Sequence, residues 1–233
     1  AALAVAIVLF IFIGFLWQEA GAFNEMMTSK DGYTVTADYQ SAMAQDGTAY
    51  AAPIASSLGD AITSELASYD GGTDVFGFGN DYKRYDVTVD TADLTPEILS
   101  YYELEGQTSA TFDVECIVLD RQHYQELCEA ADVPMGSVLL INNDRLNIKG
   151  YSTDTPVFAN VPQTLELKAS DGSMTELDIA AVLSADDVPD VLFYPNTNTV
   201  RLILPEMSLR QYSWQAAPAD QQGFMDYAEV ILA

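Results

Sequence analysis

Apolar and polar residues are arranged differently in successive parts of this chain. From Ala1 to Trp17 every residue is apolar or glycine, with no amphipathic period, and no lysine or arginine appears before Lys30. Beyond Gly32, Tyr33 to Tyr39 alternates β-branched and aromatic residues with polar ones, which predicts a strand. Ile54, Leu58, Ala61, Ile62, Leu66 and Tyr69 recur at helical spacing, and Asp70-Gly-Gly-Thr-Asp74 stops that helix. VFGFGNDYKRYDVTVD predicts two strands around a Gly-Asn-Asp turn, and Thr95-Pro96-Glu97 starts a short helix. A strand over 110–119, a helix over 121–131 and a strand over 137–141, closed by Asn142-Asn143-Asp144, follow. TLELKASDGSMTELDIAAVL alternates on both sides of Asp171-Gly172, a β-hairpin signal, and 191–194 with 200–204 suggests another. From Pro218 the pattern is helical again, with Phe224, Tyr227, Ala228 and Ile231 on one face.

The apolar opening admits three readings. As a helix, Ala1 to Trp17 would be roughly 25 Å long, near the short end of what a bilayer core of about 30 Å requires. The side chains that would meet lipid are Leu3, Val5, Ile7, Leu9 and Phe10, then Ile11, Phe12, Ile13, Phe15 and Leu16, with Trp17 at the interface. Ala20-Gly21-Ala22 resembles a signal-peptide cleavage site, but a basic segment before the apolar run is missing. A core helix would need apolar partners on every side. A retained membrane anchor is the expectation, truncated because the chain starts with alanine rather than methionine.

Strands and helices mix without regular βαβ alternation, and no period of repeats is seen. The expected fold class is therefore α+β: an N-terminal transmembrane helix, then a mixed, mainly antiparallel extracytoplasmic α+β domain, as one unit or two small lobes. The expected organisation is a transmembrane helix at 1–19, a stalk at 20–31, the domain at 32–217, and a helix at 218–233 leading back toward the membrane.

Charge narrows the partners. Nine basic residues against thirty-five acidic ones give a net charge of −26. Such a surface repels phosphate backbones, which excludes nucleic acid, and it favours solubility and cationic partners such as a cationic peptide or an extracytoplasmic protein.

Little in the chain points to catalysis. The single histidine, His123, lies on a predicted helix and reads as an exposed surface residue; HExxH and GxSxG are absent. Cys128 falls on the opposite side of that helix from His123. Cys116 and Cys128 both tend inward, as buried thiols or as a disulfide across a strand–helix turn. Gly77-Phe78-Gly79-Asn80 lacks the lysine of a phosphate loop and reads as a turn. The clusters at Asp70 to Asp74 and Asp186 to Asp190 read as solvated turns or as weak calcium sites. No catalytic residue, cofactor or metal is expected, and the chain reads as one that binds, couples or scaffolds.

ALAVAIVLFIFIGFL, KRYDVTVD, FDVECIVLDRQHYQELCEAADV, VLLINN and VRLILPE, in that order, resemble the permease subunits of FtsX/MacB-type ABC transporters. The resemblance implies a cell-membrane protein with its main domain outside, like a MacB periplasmic core domain. It further implies contact with membrane lipid, a second permease copy and a cytoplasmic ABC ATPase subunit that carries the ATP. Such a domain would couple hydrolysis on that subunit to export of, or action on, a peptide or lipid-linked substrate. The alternative is a membrane-anchored or secreted surface binding protein or adhesin.

Overall fold

The longest described strand, β5 (Ser109–Leu119), shares its edges among three neighbours, and the architecture follows from that division. The structure, a computed structural model, describes residues 32–40, 53–81, 83–148, 151–193 and 200–232. Along one edge of β5, residues 109–114 pair antiparallel with β4 (Tyr85–Asp90) and residues 117–119 pair antiparallel with β3 (Val75–Asp81). The other edge pairs parallel with β11 (Val200–Ile203). The sheet then runs through β6 (Val138–Ile141), β10 (Met174–Leu183) and β9 (Thr164–Ala169), and β9 returns to β4. These six strands close into a barrel. From β3 the sheet continues outward through β12 (Ser208–Ala216) to β1 (Val35–Gln40), with β2 (Ile54–Ala55) pairing at the start of β12. A separate hairpin joins β7 (Asp144–Ile148) and β8 (Tyr151–Thr155).

The side chains of β5 feed two cores. Ala110, Phe112, Val114 and Cys116 join Val87, Leu140, Leu167 and Leu202 inside the barrel. Ile117 and Leu119 belong to a second cluster with Leu139, Ile141 and Ile203, covered by Tyr124 and Cys128 of α3 (Arg121–Ala130). A third cluster fills the space between the extension and two helices, α1 (Ser56–Ala67) and α4 (Gln221–Leu232). There Leu66, Phe224 and Ala228 pack on Tyr212 and Trp214. Each fully buried large side chain of these clusters stabilises the fold by about 1.5–3 kcal/mol. The short α2 (Pro96–Tyr101) starts at Thr95, whose hydroxyl accepts from the Ile98 N–H, and buries Ile98 against the barrel cluster.

Several expectations are corrected. The fold is mostly β, a six-stranded barrel with an open extension, in place of a transmembrane helix plus α+β domain. The helices are short and lie outside the sheet, and in α1 the buried face is Gly59, Thr63 and Leu66 rather than the expected stripe, since Ile54 belongs to β2 and Leu58 and Ala61 are exposed. The pairings that make the barrel, β5 with β11 and β6 with β10, join segments far apart in the chain and leave no local pattern. Among the described residues no helix is long and apolar enough to cross a membrane, so the fold lends nothing to the membrane-protein and permease character implied by the resemblance. The expected anchor, Leu3 to Trp17, and the stalk at 20–31 lie outside the described residues. Residues 191–193 belong to a 3-10 turn rather than a hairpin strand, because Leu192 and Phe193 fold down onto the second cluster. The final helix buries Phe224 and Ala228 on the extension.

Gly77 and Gly79 are within β3, not in a turn. Their lack of a side chain makes room for Tyr212, which lies in a slot closed from the other side by Gly59 of α1. A methyl on Gly59 would fall within the Tyr212 ring, and one on Gly77 would sit 2.6 Å from the Thr63 hydroxyl. Gly59→Ala therefore sets a gain in helix propensity of up to about 1 kcal/mol against overpacking of about 1–3 kcal/mol. A net loss of stability is expected, read as a lower urea midpoint at unchanged slope. A raised midpoint would mean that the Tyr212 slot is loose.

Candidate functional site

A cleft of about 750 Å³ opens between α1, α3 and the start of β3. Its organising residue is Asp120, directly after β5. Its extended backbone makes it the N-cap of α3, where its Oδ1 accepts from the Gln122 and His123 N–H groups, both at 3.1 Å. Its Oδ2 accepts from the Gly77 N–H of β3 at 2.8 Å, while its own N–H donates to the Gly77 carbonyl at 2.7 Å. The side chain is buried, and the same Oδ2 lies 2.8 Å from Nδ1 of His123. An ionised carboxylate only accepts, so Nδ1 carries the proton. The His123 ring is held from another side by the edge of Phe76, with centroids 4.9 Å apart. Asp60 of α1 accepts from the Arg121 N–H at 2.8 Å, tying the two helices together across the cleft floor.

Partial burial pulls the His123 pKa down, but the hydrogen bond and charge of Asp120, with Glu126 and Asp74 nearby, more than offset it. The net shift is upward from 6.5. The remaining acids of the lining are Asp60, Asp74, Glu126 and Glu129, and its bases are Arg121 and His123. Glu126 accepts from the Gln122 amide at 3.0 Å and Glu129 from the Gln125 amide at 2.7 Å, both uncharged donors. Among the described residues no Lys or Arg ion pair reaches Asp60, Asp74, Glu126 or Glu129. The cleft thus concentrates negative charge that the domain does not neutralise by ion pairing. It is suited to hold cations, and neither cysteine lines it.

A second charged group is structural. Arg201 of β11 is fully buried on the outer side of the barrel, directly across the parallel register from Glu115 of β5. Its Nε lies 3.4 Å from Glu115, its Nη1 is 4.0 Å from Asp144 and donates to the Asn143 carbonyl, and its guanidinium lies 5.3 Å from the Phe193 ring centre. Asn80 donates to Glu115 at 2.6 Å and the Tyr102 hydroxyl donates to Asp144 at 2.7 Å. Burial raises the pKa of Glu115, opposed by Arg201 and Asn80. Next to this group, Arg145 pairs with Asp190 at 2.6 Å and Asp154 at 3.0 Å and lies over the other Phe193 contact, 4.7 Å from its centre. The network pins the β7–β8 hairpin and the 3-10 segment at 190–193 to the barrel.

The sequence-derived candidates fall as follows. Cys116 and Cys128 are buried thiols in different clusters, one inside the barrel and one under α3. His123 is not a freely exposed histidine: its side chain is 22% accessible and is held by Asp120. Of the acidic clusters, Asp187 accepts from the N–H and hydroxyl of Ser184, and Asp190 pairs with Arg145. Among the described residues no group of three or more His, Cys, Asp or Glu side chains is placed to hold a metal ion. The Asp120–His123 pair had a legible signal, an aspartate at a helix start with a histidine three residues on. Arg201 had one too, as a lone charge within the apolar run VRLIL.

Two outcomes are expected. Arg201→Met removes the buried cation between Glu115 and Asp144, leaving Glu115 only the charge of Arg210, and is expected to cost about 3–5 kcal/mol, measured by urea denaturation. A loss below about 1 kcal/mol would mean that the group is solvated. The raised pKa of His123 means that its protonated form adds stability that is full below the unfolded value and is lost as pH rises through the folded one. The stability gap between wild type and His123→Gln is therefore expected to be wider at about pH 6 than at about pH 9. A gap independent of pH would show that Asp120 does not hold the imidazolium. Comparison of the chain with family models, with curated proteins and with solved structures found no match.

Proposed function

We propose that this domain is a non-catalytic binding module whose cleft between α1 and α3 takes cationic side chains of a peptide or protein partner. The supporting observation is the set of lining carboxylates, Asp60, Asp74, Glu126 and Glu129, that no Lys or Arg ion pair reaches among the described residues. Asp60 is carried by α1, Asp74 by the residue before β3 and Glu126 and Glu129 by α3, so the acids line a cleft rather than a flat surface. The net charge of −26 adds long-range attraction for a basic partner and speeds encounter. Asp120 and Asp60 are engaged with backbone N–H groups and shape the site, whereas Asp74, Glu126 and Glu129 are the groups to meet a lysine or guanidinium.

The test is fluorescence anisotropy of a labelled oligolysine peptide against the full chain over a series of salt concentrations. Each partly exposed charge pair contributes about 0.2–1 kcal/mol, so Asp74→Asn, Glu126→Gln and Glu129→Gln together are expected to weaken binding by about threefold to about a hundredfold. Binding is also expected to fall steeply as salt rises. Absent binding, or binding that is insensitive to both salt and the triple substitution, would overturn the proposal.

A further inference from the structure

A different part of the surface has the features of a second, independent docking site. β1 is the outer strand of the extension, and among the described residues it pairs on one side only, with β12. Its register with β12 is unbroken over all six residues, VTADYQ, so no bulge, proline or lysine blunts the open edge. Beside that edge runs a groove of about 500 Å³, walled by α4. Thr36, Ala37 and Asp38 of β1 supply one side. Met225, Asp226, Glu229 and Leu232 of α4 supply the other.

The groove follows α4 from Gln222 to Leu232 and meets β1 at Thr36, Ala37 and Asp38, so a strand added at that part of the β1 edge would have α4 alongside it. Its main chain would complete the hydrogen bonds of the β1 edge, and alternate side chains would face the flank of α4. There they would meet an exposed Met225, a half-buried Leu232 and two carboxylates, Asp226 and Glu229. The opposite side chains would pass Asp38. The amide groups of Gln211 and Gln222 reach Asp38 and Asp226 without adding positive charge. A second copy of this chain at the same edge would set like charges against one another and bring −26 against −26. A basic partner removes that repulsion.

We infer that the open edge of β1, with the α4 groove beside it, binds an extended segment of another protein in which lysine or arginine alternates with aliphatic residues, by strand addition. The test uses the full chain carrying Asp74→Asn, Glu126→Gln and Glu129→Gln, which weakens the α1–α3 cleft as a competing site. The probe is an end-capped peptide of alternating lysine and valine, followed by amide hydrogen exchange. Exchange across residues 35–40 is expected to slow about tenfold or more at saturating peptide. Methylating alternate peptide nitrogens is expected to abolish both the binding and the protection, while Asp226→Lys with Glu229→Lys weakens binding about tenfold. Binding without protection of β1, equal binding of an alternating glutamate–valine peptide, or a β1 edge already fully protected in the free chain would each overturn the inference.

Discussion

The carboxylate of Asp120 is the constraint on which both the fold and the cleft depend. It lies where β5 ends and α3 begins, and its two oxygens accept from β3, from the first turn of α3 and from the ring of His123. Together with the N–H of Asp120 bonded back to Gly77, these contacts fix the register of β3 on the end of β5 just where the barrel gives way to the open extension. A buried carboxylate is costly unless its lone pairs are filled, and hydrogen bonds to a charged group contribute about 1.5–3 kcal/mol each. The arrangement is therefore stiff, and the helix it starts carries Glu126 and Glu129 to one wall of the cleft.

The two charged assemblies of the domain differ in how their charges are met. Around Arg201 each acid has a cation or a hydrogen-bond donor, and the group is sealed under Phe193. Around His123 the acids outnumber the bases and face a cleft. The first arrangement holds a hairpin and a 3-10 turn to the barrel. The second keeps an attraction for positive charge that folding does not use up.

The sequence disclosed local elements better than their assembly. The β9–β10 hairpin announces itself through Asp171-Gly172, and α3 and α4 through the spacing of their buried faces, whereas α1 buries Gly59, Thr63 and Leu66 and leaves Leu58 and Ala61 of the expected stripe exposed. β12, which pairs with β1, β2 and β3, does carry a strand signal in Tyr212, Trp214 and Ala216 alternating with Ser213 and Gln215, but the register shift between Leu209 and Gln211 breaks the alternation in its first half. Gly77 and Gly79 imitate a turn because the reason for them, the Tyr212 ring, lies more than a hundred residues away. The barrel was hidden for the same reason: its closing pairs join distant segments, while the helices that suggested α+β lie outside the sheet, α1 and α4 on the extension. For His123 the partner Asp120 was legible three residues before it, but Phe76 and Gly77, which complete the setting from another strand, were not.

The most direct test of a cleft built to receive positive charge is amide chemical-shift mapping of the isotopically labelled full chain during titration with oligolysine. The expected result is a set of perturbations centred on Asp60, Asp74 and the segment from Arg121 to Glu129, fading together as salt is added. Perturbations spread evenly over the acidic surface, or centred away from α1 and α3, would contradict the account.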